Sequence, residues 1–348
     1  MPEAWHTVRV RTSRVLPGPA WEAAVVDVYL AAGPPLEDPA RPVGHRELEV
    51  TAADGRDVTV SCWYPASSTE GEPARYPVVP GVGLTAGAVE GAPAAPGPFP
   101  TVVFSHGRTG TRRSYVMLLE ALAARGTVVL APDHVGDRLE DWLGGTQVDD
   151  LTNGRRRVAD VAAVLGAVPG VEATGDRVVV AGHSYGGWTA LAAAAQDPVS
   201  VMGVVGLQPL VRGLSAERLG RVRAPVLLVG AAEDTTTPPA EDSRVGFEGL
   251  VGSAARHVEV AGTGHQACSD VGLYAELARA HADVLPPGLA DLLDGMAGQV
   301  TGRPGGRWRP VVADQLDLLA AFVAAVGAGQ DPPRPADHAD RTLLERPG

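Results

Sequence analysis

Lysine and isoleucine are absent from the 348 residues, and asparagine occurs once, at Asn153. All 29 basic residues are arginine, a bias that G+C-rich coding explains most simply. Without lysine, the chain cannot form the phosphate-binding lysine of a Walker motif or a lysine Schiff base with pyridoxal phosphate. The formal net charge of -12 disfavours nucleic-acid binding, which requires a clustered cationic surface.

Cysteine is also scarce, with Cys62 and Cys268 alone. Two cysteines cannot build a disulfide framework or a cysteine-rich zinc site, and the sequence has no H-E-x-x-H or comparable ligand set. We therefore expect neither a metal nor a cofactor. A buried thiol is the expected state of Cys268, although it follows His265 closely enough to line a pocket.

Neither a signal peptide nor a membrane span is expected. The N-terminus lacks a basic start followed by an apolar stretch. The longest convincing uncharged run, residues 178–196, contains His183, Ser184 and a glycine pair, which favours a buried strand, turn and helix. We expect a cytoplasmic protein, and the sequence indicates no particular oligomeric state.

Three regions are predicted along the chain. Residues 1–45 form an N-terminal extension, residues 46–328 the main domain, and residues 329–348 a C-terminal tail. Two β-rich runs, 47–51 and 57–64, flank Ala53-Asp54-Gly55 and predict a hairpin. The stretch 65–100, rich in proline, glycine and alanine, predicts a long surface excursion.

From Thr101 onward, short apolar runs alternate with segments of helical periodicity. This alternation predicts an α/β fold with a mostly parallel central sheet and helices on both faces. The predicted strands are 101–104, 127–131, 177–181, 201–207, 225–230 and 257–261. The predicted helices are 114–124, 156–168, 188–196, 273–285 and 311–326, with 286–306 irregular.

The strongest chemical signal is Gly182-His183-Ser184-Tyr185-Gly186, between a predicted strand and a predicted helix. In G-x-S-x-G, the serine occupies a sharp strand-to-helix turn, and the glycines lack side chains so that strand and helix can approach closely. The turn exposes the serine hydroxyl at the helix N-terminus, where developing negative charge is stabilised. Ser184 is therefore the predicted nucleophile.

A nucleophilic serine needs a histidine base and an acid that orients the base, here in the chain order serine, acid, histidine. Asp234 follows the strand 225–230 and is the better acid candidate, with Glu233 as the alternative. His265 follows the strand 257–261 in a loop of small residues and is the predicted base.

Two backbone N–H groups should stabilise the oxyanion of such a reaction. One belongs to Tyr185, directly after the nucleophile. The other is predicted at Arg108, in the His106-Gly107-Arg108 loop after the strand 101–104. His106 and His183 are predicted to be structural.

Two further patterns have simpler explanations. Residues 262–267 match the dinucleotide-binding pattern G-x-G-x-x-A, but no helix with a well-placed acidic residue follows, and Pro286-Pro287 interrupts the segment. The run Arg155-Arg156-Arg157 is predicted to be a solvated helix start rather than a phosphate clamp.

The chain resembles the α/β-hydrolase superfamily over about residues 45–327, and within it the bacterial esterases related to platelet-activating-factor acetylhydrolase and to predicted dienelactone hydrolases. The resemblance implies nucleophile Ser184, acid Asp234, base His265 and the oxyanion amides of Arg108 and Tyr185. A serine rather than a cysteine at the sharp strand-to-helix turn favours ester or thioester hydrolysis. The residues that carry the resemblance are 62–66, 102–107, 131–137, 157–160, 182–187 and 262–265.

The expected function is hydrolysis of a small-molecule carboxylic ester through an acyl-enzyme. Residues 267–309, longer than the family pattern, are predicted to be a lid or an acyl-binding wall beside the triad. That insertion and the unplaced residues 1–45 favour a second hypothesis, a transacylase, thioesterase or cyclase with the same triad. A third is a non-catalytic ligand-binding protein on a hydrolase scaffold.

Overall fold

The computed structural model describes residues 9–10, 28–79, 81–282, 289–336 and 339–347. Most of the predicted N-terminal extension lies outside these residues. Within the described part, thirteen strands form one sheet. They are β1 (Arg9–Val10), β2 (Val28–Ala31), β3 (Val43–Thr51), β4 (Asp57–Pro65), β5 (Pro73–Val79), β6 (Val82–Glu90), β7 (Phe99–Ser105), β8 (Val128–Pro132), β9 (Thr174–His183), β10 (Val201–Leu207), β11 (Val226–Ala231), β12 (Ala255–Val260) and β13 (Arg341–Arg346).

Helices cover both faces of this sheet. Apolar residues line both faces, so each face has its own hydrophobic core. The helices are α1 (Val116–Ala124), α2 (Leu139–Leu143), α3 (Asp150–Ala167), α4 (Tyr185–Gln196), α5 (Ala216–Leu219), α6 (Ser243–Gly249), α7 (Val271–Ala280), α8 (Leu289–Thr301) and α9 (Trp308–Gly327), with a 3-10 turn at Val168–Gly170.

The central strands run in the order β12-β11-β10-β9-β7-β8, and every neighbouring pair among them is parallel. The predicted α/β fold is confirmed, and its strands and helices lie close to their predicted positions. The carboxyl ends of parallel strands meet at one edge of the sheet, so the loops after β7, β9, β11 and β12 meet there. Those are the loops that carry the predicted site residues.

The predicted hairpin is confirmed, because β3 and β4 pair antiparallel from Thr51 opposite Asp57. The predicted surface excursion at 65–100 is wrong, because β5 and β6 lie within it and join the sheet. Ala74 and Tyr76, two residues apart on β5, are fully buried, as is normal for the inner face of a strand. The proline and glycine residues between these strands obscured that alternation in the sequence.

Strands also come from outside residues 46–328. Strand β2 pairs with β6, and β13 pairs antiparallel with β12 at the far edge of the sheet. The domain boundaries themselves stay predictions. The sheet therefore includes strands that precede and follow the predicted main domain in the sequence.

The second part of the predicted insertion is helical. Residues 286–306 were expected to be irregular, which is wrong for α8. Leu289, Leu292, Leu293, Met296 and Val300 recur at helical spacing, but glycines and prolines around them hid the period. This helix is important for the site because it lies against α7.

Helix α9 is long and apolar enough to cross a membrane by length and composition alone. It packs on β7, β9 and β10 in the structure, and residues such as Leu316 and Leu319 are fully buried there. A core helix passes the same length and composition test. One such helix is therefore weak evidence for a membrane span.

The prediction that Arg155-Arg156-Arg157 is a solvated helix start is wrong for Arg157, because its side chain is fully buried. Its Nη1 donates to Asp137 Oδ2 at 2.7 Å, and its Nε donates to Thr189 Oγ1 at 3.0 Å. Its Nη2 donates to the carbonyl oxygen of His106. Arg157 thus connects α3 and α4 to the loops after β7 and β8, and the run of three arginines gave no sign of that difference between its members.

Replacing Arg157 with methionine should therefore destabilise the protein by about 3–5 kcal/mol, because Asp137 would remain buried without its main cationic partner. Urea unfolding measures the change in the free energy of unfolding. Arg155→Met is the matched control, since Arg155 is exposed on the same helix, and it should change the free energy by less than about 0.5 kcal/mol. Equal effects of the two substitutions would contradict this account.

Candidate active site

Ser184 lies alone between β9, which ends at His183, and α4, which begins at Tyr185. Its φ of 53° lies in the left-handed region that non-glycine residues rarely adopt. The sharp turn requires the flanking glycines, since a Cβ on Gly186 would overlap the carbonyl oxygen of Ser105 on β7. The amide of Ser184 donates to Leu207 O on β10 at 3.0 Å, which ties the turn to the sheet.

Ser184, His265 and Asp234 form one hydrogen-bonded line. Ser184 Oγ lies 3.0 Å from His265 Nε2, and His265 Nδ1 lies 2.8 Å from Asp234 Oδ2. Asp234 follows β11, and His265 follows β12. Residues far apart in the chain therefore meet because their parallel strands end at the same sheet edge. This arrangement can transfer a proton from the serine hydroxyl to an imidazole that a carboxylate orients.

The carboxylate of Asp234 is held in its charged form. Burial would raise its pKa, but the hydrogen bond and charge of His265 and the donors of Thr237 outweigh burial and lower the pKa to about 2. The amides of Thr236 and Thr237 donate to Oδ1 at 2.8 and 2.9 Å. The Thr237 hydroxyl donates to Oδ2 at 2.7 Å. Asp234 is thus both fixed and ionised at neutral pH.

Glu233, the alternative acid, faces another way. Its carboxylate accepts the amide N–H groups of Gly262 at 3.1 Å and Thr263 at 2.9 Å. It therefore holds the start of the loop that carries His265. Of the two candidate acids, the structure brings Asp234 to the histidine.

The two predicted oxyanion amides flank the serine. Tyr185 follows Ser184 directly, and Arg108 lies in the loop after β7, where a Cβ on Gly107 would come within 3.2 Å of Ser184 Cβ. Arg108 and Ser184 line the same cavity. Within the described residues, neither amide N–H has a hydrogen bond to another protein group. Both donors are therefore free to bind an oxygen.

The loop of Arg108 is held by a chain of hydrogen bonds that sequence reasoning missed. The amide of Gly107 donates to Tyr115 Oη at 3.0 Å, and Tyr115 Oη lies 2.9 Å from His183 Nδ1. His183 Nε2 lies 2.7 Å from the carbonyl oxygen of His265. A carbonyl only accepts, so Nε2 carries the proton and Nδ1 accepts the hydrogen of Tyr115.

This chain needs His183 to be neutral. Burial, followed by the nearby His265, lowers the pKa of His183 to about 3, so the ring stays neutral at ordinary pH. His183 was predicted to be structural, and its contacts connect the loops of Arg108 and His265 directly beside Ser184. No sequence motif marks Tyr115, because its role depends on contacts with Gly107 and His183, which are eight and 68 residues away in the chain.

His106 and Asp270 hold neighbouring loops. His106 Nε2 accepts the amide of His134 at 3.1 Å, and its Nδ1 donates to Gly107 O at 2.7 Å. Asp270 is fully buried and accepts the amides of Val116 and Met117 at 2.5 and 3.2 Å, at the start of α1. Burial raises the pKa of Asp270 to about 7 despite these donors. The loop after His265 is thereby anchored to α1.

A cavity of about 330 Å³ opens beside Ser184. Its lining includes Ser184, His265 and the loop 107–111, together with residues of β2, β5, β6, α7 and α8. Cys268 is fully buried, and burial raises its pKa well above the ordinary range. Among the described residues, no group of three or more histidine, cysteine, aspartate or glutamate side chains is placed to hold a metal ion.

Comparisons with known proteins agree with this architecture. A family model described as serine aminopeptidase, S33, a hydrolase family, matches residues 96–217. The structure is similar to a ferulic acid esterase from Streptomyces cinnamoneus, with a TM-score of 0.68 and 24% sequence identity, covering 91% of this chain and 100% of that chain. The search of curated proteins found no match.

The parallel sheet, the serine at a sharp strand-to-helix turn and these comparisons define the α/β-hydrolase fold. The chain therefore has the α/β-hydrolase fold, and its residues 96–217 match a hydrolase family model. Membership of the platelet-activating-factor acetylhydrolase-like subgroup stays a prediction.

Tyr115→Phe should lower kcat by about tenfold to a hundredfold with little change in KM, because the Gly107 amide and His183 Nδ1 would lose their shared partner beside Ser184. Steady-state hydrolysis of 4-nitrophenyl acetate separates kcat from KM. Tyr64→Phe is the control, since Tyr64 is also buried but donates its hydroxyl to Ala92 O, away from the cavity. Equal kcat losses in both variants would mean that Tyr115→Phe acts by destabilising the protein in general and not through the contacts beside Ser184.

Proposed function

We propose that this hydrolase cleaves carboxylic esters of small molecules through an acyl-enzyme on Ser184. The observation that carries the proposal is the continuous hydrogen-bonded line from Ser184 Oγ through His265 to Asp234. The similarity to a ferulic acid esterase supports an ester as the substrate, since that protein shares the fold over nearly the whole chain.

In the proposed mechanism, His265 Nε2 takes the hydroxyl proton as Ser184 Oγ attacks the acyl carbon. The new oxyanion accepts the amide N–H groups of Arg108 and Tyr185. Asp234 stays ionised and stabilises the imidazolium. His265 then gives the proton to the departing alcohol, and a water molecule activated by the same ring releases the acyl group as a carboxylic acid.

Acyl transfer remains the second candidate, because α7 and α8, from the insertion after His265, contribute residues to the cavity that contains Ser184 and would there contact an acceptor molecule. A transacylase or cyclase would pass the acyl group to an alcohol or amine through the same acyl-enzyme, whereas a thioesterase would form it from a thioester with release of the thiol and pass the acyl group to water. Product analysis with added acceptors separates the two, and exclusive formation of the free acid would exclude transfer to those acceptors. A cytoplasmic location is part of the proposal.

Ser184→Ala should abolish covalent labelling by a fluorophosphonate probe and lower kcat by several orders of magnitude, because the attacking oxygen is removed. Labelling followed by mass spectrometry of the tryptic peptide identifies the modified residue in the wild-type protein. Unlabelled but folded wild type, or full esterase activity in the variant, would disprove the assignment.

The two candidate acids give a matched pair of variants. Asp234→Asn should lower kcat by about 10⁴-fold, because the amide cannot hold the required tautomer of His265 or stabilise its charge. Glu233→Gln should lower kcat far less, since the Glu233 carboxylate accepts the amide N–H groups of Gly262 and Thr263. Ester hydrolysis at pH 7 measures both. The reverse order of effects would make Glu233 the acid.

A further inference from the structure

The cavity beside Ser184, called the cleft below, is lined by two groups of apolar residues. The first wall comprises Leu30, Val82 and Leu84, from β2 and β6, and the second wall comprises Leu277, Leu293 and Met296, from α7 and α8. The first wall includes β2 from the N-terminal region, and the second is the insertion after His265. The N-terminal region, which the sequence left unplaced, and the insertion, which was predicted to be a lid or an acyl-binding wall, therefore both line the proposed site of the reacting ester.

Charge is scarce in this cleft. Among the described residues, the lining contains no aspartate or glutamate, and its charged side chains are Arg108 and Arg113. Arg108 pairs with Asp150 at 2.5 Å, and Arg113 pairs with Glu47 at 2.8 Å. A positively charged substrate group would find no carboxylate in the cleft, and both arginines already have anionic partners.

From this lining we infer that the cleft binds a neutral, apolar group of the ester and rejects a substrate with an ammonium group. The inference rests on the proposed ester hydrolysis at Ser184 and adds the substrate class. The inference also predicts that this chain lacks the aminopeptidase activity named in the description of the matched family, because an aminopeptidase must bind a free α-amino group. An ammonium ion buried without a partner is strongly disfavoured.

The volume of the cleft indicates that its preference for apolar groups can be measured by varying the chain length of the substrate. About 330 Å³ lies within the range of small-molecule sites and exceeds the needs of an acetyl group. Each methylene group that enters an apolar site from water should raise kcat/KM by up to about threefold to fourfold, until the cleft is full. Preference for a longer chain is therefore a direct readout of the cleft.

The experiment compares two series of esters on the wild-type protein. One series varies the acyl chain from acetate to dodecanoate with 4-nitrophenol as the alcohol, and the other varies the alkyl alcohol of an acetate. A rise in kcat/KM confined to the first series places the acyl group in the cleft, and one confined to the second places the alcohol there. Either result supports the inference, and a flat profile in both would overturn it.

Charge is tested with two acyl groups of matched length, the 4-nitrophenyl esters of heptanoate and 6-aminohexanoate. We expect kcat/KM to be at least about a hundredfold higher for heptanoate, because the terminal ammonium group has no partner in the cleft. Comparable values, or faster hydrolysis of alanine 4-nitroanilide than of any alkanoate ester, would overturn the inference. Fluorophosphonate labelling of Ser184 in the same samples reports separately whether the nucleophile is active.

Met296→Trp should fill the cleft and lower kcat/KM for octanoate relative to acetate by about tenfold. Val82→Trp, in the first wall, should lower the same ratio of kcat/KM values. It serves as the test if Met296→Trp does not fold. Val251→Trp is the control, since Val251 is 72% exposed outside the cleft. An unchanged octanoate-to-acetate ratio in folded Met296→Trp and Val82→Trp would show that these walls do not contact the substrate.

Discussion

Contact between the start of α4 and the end of β7 is the constraint on which the site depends. Gly186 lies so close to Ser105 that no side chain fits between them, and Ser184 is consequently held at positive φ with its hydroxyl at the sheet edge. The same approach places the loop of Arg108 against the serine. A single steric requirement thus positions both the proposed nucleophile and one of the proposed oxyanion donors.

Hydrogen bonds between buried groups then fix the loops around that turn. Neutral His183 connects Tyr115 to the backbone of His265, and Asp270 holds the loop after His265 against α1. The charged pair of Arg157 and Asp137 secures the neighbouring loops. Buried polar groups are costly without partners, so each of these contacts favours one arrangement of the loops over others. The proposed proton transfer from Ser184 to His265 needs this precision, because it requires hydrogen-bonding distance.

The fold places the proposed chemistry and the proposed recognition on different segments. The central parallel strands carry the proposed catalytic residues, while the residues that line the cleft come from β2, β6, α7 and α8 outside those strands. Marginal segments can change without disturbing the strand ends that position Ser184, Asp234 and His265.

The amino-acid sequence by itself determined the α/β alternation, the turn at Ser184 and the positions of Asp234, His265 and Arg108 after their strands. These features are local, because hydrophobic period and glycine spacing act over a few residues. Tertiary structure alone showed that Asp234 lies within hydrogen-bonding distance of His265, whereas the carboxylate of the adjacent Glu233 binds the amides of Gly262 and Thr263. It also revealed Tyr115, the burial of Arg157 and the apolar cleft, since each depends on contacts between segments distant in sequence. No local pattern encodes which distant segment will supply a partner, so those features arise only when the sheet is assembled.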